Sequence, residues 1–232
     1  DGTDTEFLVS GRATGLWYYR VRASSAGGDS PWSNWQSVGV IPAAPVLANI
    51  ENDDGDGEYL VDWSNVTGAA SYQLEEDDNA AFSSPTVVYS GTASEFQVSG
   101  QGTGRWYYRV RARNAGGDGR WSNIEDVGVI PAAPVLDPIE NDDRDGEYLV
   151  DWSDVAGAAS YWVEEDDNPN FHSPTVRYNG VDSQFRVSEQ GPGEWYYRVQ
   201  TRNAGGDSPY SNSESVAVGL PAPVLDDISN PE

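Results

Sequence analysis

The sequence predicts an all-β chain of tandem two-sheet sandwiches arranged as a rod. Three observations predict it. The first is a repeat: Trp17-Tyr-Tyr-Arg-Val returns at Trp106 and Trp195, and Ala44-Pro-Val-Leu returns at Ala133 and Ala222. Glu51-Asn-Asp-Asp likewise returns at Glu140, and every such pair is offset by 89 positions without insertion. The second is a period of 2 within each unit, where short aromatic and β-branched runs alternate with polar residues and no stretch carries the 3.6-residue period of an amphipathic helix. The third is punctuation, because Gly, Asn, Asp, Ser and Pro clusters separate the runs at turn-like intervals.

Taken along one unit, the expected strands are Tyr59-Leu-Val-Asp-Trp63, one opening at Tyr72, Val87 to Tyr89, Glu95 to Val98, and Trp106 to Arg113. Six or seven short strands in about 90 residues read as two packed antiparallel sheets. Units are expected to begin at the proline-alanine stretches. Residues 1–43 are then the C-terminal half of a module, 44–132 and 133–221 complete modules, and 222–232 the start of another. Pro42, Pro45, Pro131 and Pro134 fix φ at the junctions and limit their freedom. On the sixth strand, alternation places Trp106, Tyr108, Val110 and Ala112 on the core face against Tyr59, Val61 and Trp63. Tyr107, Arg109, Arg111 and Arg113 take the outer face.

The prolines around Val46 and Leu47, the Trp63 that ends a strand, Tyr72, and Tyr108-Arg-Val-Arg-Ala-Arg-Asn-Ala-Gly-Gly together resemble fibronectin type III domains, most closely acidic bacterial extracellular versions. The resemblance covers the whole chain and implies immunoglobulin-like sandwiches. The family's corner tyrosine is replaced by Trp17, Trp106 and Trp195, whose indole N–H is expected to take over the bond to backbone. Trp32-Ser-Asn-Trp35 is similar to the Trp-Ser-x-Trp-Ser signature of cytokine-receptor modules. That likeness implies arginine–aromatic stacking: Arg20 and Arg22 on Trp32, Arg109 and Arg111 on Trp121, Arg198 and Arg202 on Tyr210. Glu75 and Asp77 are placed to pair with the same arginines. The alternative use of this face is a platform in which Tyr18, Tyr107 and Tyr196 stack a cell-surface polysaccharide.

The net charge is −25, all 13 cations are Arg, and Cys and Met are absent. Such a surface repels phosphate backbones and anionic membranes, so nucleic acid is excluded as a partner, and no apolar run approaches the ~20 residues of a membrane helix. Without disulfides each module depends on its apolar core or on a bound ion. Calcium is the candidate cofactor. Asn52, Asp54 and Asp56, repeated as Asn141, Asp143 and Asp145, have the alternate spacing of an oxygen-ligand loop, although the closing bidentate Glu is missing. Asp77 and Asp78, and Asp166 and Asp167, are expected at the same pole. The competing reading is an acidic turn in which Asp and Gly serve geometry alone.

No catalytic constellation is visible. His172 is the only histidine and there is no Cys, so nucleophile–base pairs and zinc sites lack ligands. Gly27-Gly28 and Gly116-Gly117 read as hairpin turns with no helix behind them. The expected function is a non-enzymatic extracellular or cell-surface spacer or filament block whose partner is itself. The alternatives are an accessory or carbohydrate-binding array of a secreted hydrolase, or an adhesin segment. Residues 1–43 are expected to leave an aromatic half-core open, to be covered by upstream sequence or another subunit.

Overall fold

A computed structural model describes residues 3–220; the expected module start at 222–232 lies outside the described residues. The described residues contain strands and no helix, so no helix is long or apolar enough to cross a membrane. The chain divides into two compact units, residues 1–128 and 129–232.

The first unit opens with a partial sandwich: β1 (Gly15–Tyr19) pairs antiparallel with β4 (Gln36–Val40), and β2 (Ser24–Ser25) with β3 (Gly28–Asp29). A complete sandwich follows. Its small sheet is β5 (Tyr59–Asp62) with β8 (Glu95–Val98). Its large sheet runs β7 (Thr86–Gly91), β6 (Ser71–Asp77), β9 (Gly104–Asn114) and β10 (Gly117–Trp121), with β11 (Glu125–Val129) also on β9. The second unit repeats this arrangement. There β12 (Tyr148–Asp151) pairs with β15 (Gln184–Val187), and β14 (Thr175–Gly180), β13 (Ser160–Asp166), β16 (Gly193–Asn203) and β17 (Gly206–Asp207) form the large sheet with β18 (Glu214–Val218).

Most of the expected core face is buried: Tyr59, Val61 and Trp63 face Tyr108, Val110 and Ala112, with Tyr72 and Leu74 beside the latter on β6, while Trp106, expected on the same face, is only half-buried. Rings meet edge-on or tilted rather than stacked, Trp63 lying 5.8 Å from both Tyr72 and Tyr89, as the ring quadrupole favours. The indole N–H groups of Trp63 and Trp152 are buried without a hydrogen-bond acceptor. The expected indole-to-backbone bonds form: the Nε1–H of Trp17, Trp106 and Trp195 donates to the carbonyl four residues earlier, at Ala13, Gly102 and Gly191, over 2.8–2.9 Å.

The segment opening each complete module is not a regular strand. Pro45 lacks an N–H, and only Leu47 forms a bridge, to Trp63. Side chains complete its pairing. Ser64 Oγ accepts from Val46 N–H, and Asn123 clamps Leu47 from both sides, Oδ1 accepting from its N–H and Nδ2 donating to its carbonyl, each 2.9 Å. Asn212 does the same to Leu136.

Within the first unit, the partial and complete sandwiches meet backbone to backbone. Asn114 Nδ2 donates to the carbonyls of Val40 and Gly68. A Cβ on Gly39 would stand 2.0 Å from the Gly116 carbonyl oxygen, and one on Gly116 2.6 Å from that of Gly15. The Asn-x-Gly-Gly turn is therefore a seam element as well as a hairpin.

Candidate functional site

The acidic loops are the first candidate. Asp54 Oδ1 and Asp56 Oδ1 accept from the N–H groups of Asp56 and Glu58, and Asp143 and Asp145 repeat this on Asp145 and Glu147. Asn52 and Asn141 turn their amides to the carbonyls of Gly128 and Ala217 on the last strand of their own module. Asp77 is not paired with arginine as expected. It sits at the end of β6, where its two oxygens accept from the N–H groups of Asn79 and Ser84. Asp166 likewise accepts from Asn168 and Ser173, and the Ser173 N–H bond is the main cause holding its carboxyl below the usual range. Asp78 and Asp167 are exposed. Among the described residues no three acidic or histidine side chains converge as a metal-holding group. Gly57, at φ +85°, lets this loop touch the next: a Cβ there would lie 2.6 Å from the Gln101 carbonyl oxygen.

The outer face holds a stacked arginine ladder. Arg20 and Arg22 lie 4.3 and 4.9 Å from the Trp32 ring centre, and Arg109 and Arg111 lie 4.4 and 4.5 Å from Trp121. The third copy departs from expectation. Arg198 stacks on Tyr210 at 3.8 Å, but Arg202 covers Trp162 at 3.9 Å instead, because β13 offers an indole where β6 has Gln73. Each central arginine is filled on three sides. Arg109 also lies 4.2 Å from Phe82 and donates through Nε and Nη2 to Glu75, while Arg198 repeats this with Phe171 and Glu164. Phe82 and Phe171 reach these positions from left-handed backbone, φ 51° and 49°, a region bulky residues rarely adopt. Sequence reasoning missed them, since their loops carry no strand period.

Also missed is a buried polar chain. Tyr59 and Tyr108 hydroxyls lie 2.8 Å apart, and Tyr108 donates on to Glu76; Tyr148, Tyr197 and Glu165 repeat it. Burial is the main cause pushing Tyr59 and Tyr148 up to about 12. Tyr108 and Tyr197 are raised further, by burial and then by bonding to the glutamate. The only sign in the sequence was Glu76, an acidic residue at an inward position of β6.

No protein-family model matches the chain. Among solved structures it is similar to the FN1-FN3 domains of chicken CNTN1, with 12% identity, 88% of this chain and 78% of that one covered, and a TM-score of 0.34. It is also similar to a structure described as FN3tt mut, with 19% identity, 39% and 98% covered, and a TM-score of 0.34. On its own strand order and pairing the described part of the chain is all-β, a tandem of antiparallel two-sheet sandwiches.

Proposed function

We propose that this chain is a non-enzymatic structural repeat protein, a spacer or filament block at a cell surface or outside the cell, whose partner is further copies of itself. One observation carries the reading. Each cluster of chemistry-bearing groups occurs in both complete sandwiches at equivalent positions, and its polar atoms are engaged in holding loops and strands together. A substrate site would single out one module; these clusters single out none. Acid–base chemistry also needs a carboxyl that titrates near neutrality in a cleft, and Asp166 is displaced the other way.

Negative-stain electron microscopy of the purified chain over a range of concentrations tests this. End-to-end oligomers or filaments are expected. A field of dispersed monomers at every concentration rejects it.

A further inference from the structure

We propose that Asn65 is an acceptor for an N-linked oligosaccharide, transferred from a polyprenyl diphosphate donor. The inference rests on the extracellular part of the reading above, because such transfer acts on chains that leave the cytoplasm.

Asn65-Val66-Thr67 is the only Asn-x-Ser/Thr triplet in the sequence, and its middle residue is not proline. It lies in the loop between Trp63 and β6, where Asn65 and Thr67 are both exposed. Among the described residues neither side chain has a hydrogen-bond partner. The backbone around them is nonetheless held. The Ser64 N–H donates to the Val46 carbonyl at 2.9 Å, the Val66 N–H to the Tyr72 hydroxyl at 2.8 Å and the Ala69 N–H to the Val66 carbonyl at 3.1 Å, with Gly68 at φ +77° closing the turn.

The second sandwich shows that this loop needs neither side chain. Asp154 stands at the place of Asn65 and Ala156 at that of Thr67. The N–H groups of Ser153, Val155 and Ala158 still make the equivalent bonds, at 2.9, 2.9 and 3.2 Å, and Gly157 lies at φ +78°. The fold therefore gives no account of the Asn-x-Thr pair in the first sandwich. A carboxamide and a hydroxyl two residues apart, presented on an outward turn and without internal duty, form the pair that an oligosaccharyltransferase reads. In the transfer, Asn65 Nδ2 attacks the anomeric carbon of the donor sugar. A carbon–nitrogen bond forms as the carbon–oxygen bond to the diphosphate breaks. The polyprenyl diphosphate leaves with the electron pair, and one amide proton is released. The product is a bulky, solvated cover on one sandwich and not on the other.

Peptide mapping by mass spectrometry of the chain recovered from its natural source provides the test, before and after an amidase that removes N-linked sugar and leaves aspartate. The peptide holding Asn65 is expected to carry an oligosaccharide and, after release, aspartate. Thr67→Ala and Asn65→Asp, produced in the same source, are expected to lose the modification completely. Their unfolding midpoints are expected to match that of the deglycosylated parent, since alanine and aspartate already fill this turn in the second sandwich. Exported material that is unmodified at Asn65, or modification that persists in Thr67→Ala, overturns the acceptor and leaves the extracellular reading standing. Material confined to the cytoplasm overturns both.

Discussion

The two complete sandwiches share every strand and every core aromatic, yet they fill the same positions outside the core differently. In the first, Trp121 lies between Arg109 and Arg111 while Gln73 accepts from Arg111. In the second, Tyr210 replaces the indole, Gln200 replaces Arg111, and Trp162 replaces Gln73 and takes the stack of Arg202. Tyr210 adds a hydroxyl that donates to Glu164. Beneath, Glu76 of the first sandwich accepts from Tyr108. Glu165 of the second also accepts from Arg177 at 2.6 Å and from Gln190 at 3.3 Å, because Arg177 stands where the first has Val88. What persists is a planar cation on a ring and a carboxylate under a tyrosine pair; which residue supplies each part is free to drift.

The common core should dominate any mutational series. Trp63→Ala and Trp152→Ala should each cost their own sandwich about 3–5 kcal/mol in urea unfolding, and equal losses would confirm equivalent cores. Alkali should act on both sandwiches next. Tyr59 and Tyr148 have folded values of about 12 against an ordinary 10. The folded state therefore holds these protons more tightly, so their contribution is complete below pH 10 and is lost as pH rises from 10 to 12. Unfolding midpoints recorded from pH 8 to 12 should fall over that window, and Tyr59→Phe with Tyr148→Phe should flatten the fall.

The sharper contrast lies at the glutamates. Glu165→Gln removes the carboxylate paired with Arg177, leaving it the 3.1 Å bond to Gln190, and should cost about 2 kcal/mol, part of the penalty for breaking a buried pair, since Arg177 also retains some solvent. Glu76→Gln leaves no cation stranded and should cost about 1 kcal/mol. Equal effects in a denaturant series would contradict the distinction. Smallest are the outer stacks: Arg109→Lys and Arg198→Lys keep charge but lose the flat guanidinium, and each should cost about 0.5 kcal/mol. A null result in both would show that the ladder is covering rather than support.

By itself the sequence determined the all-β class, the unit length, the core face of the sixth strand and the corner tryptophans, because a period of 2 and an offset of 89 are local or periodic signals that need no knowledge of neighbours. The arginine–ring pairs were half legible: strand alternation puts Arg109 and Arg111 outward, but choosing Trp162 over Tyr210 for Arg202 requires the register of β13 on β16. Only the tertiary structure decided what the carboxylates do. Asp54, Asp56, Asp77 and Asp166 have the composition of a ligand loop, and whether an oxygen meets an ion or an amide depends on φ and ψ a few residues away. The Asn114 seam, the Asn123 clamp and the Tyr59–Tyr108–Glu76 chain likewise join residues far apart in sequence. Polar contacts of that kind are directional and short, so they appear only once packing has brought the strands into place.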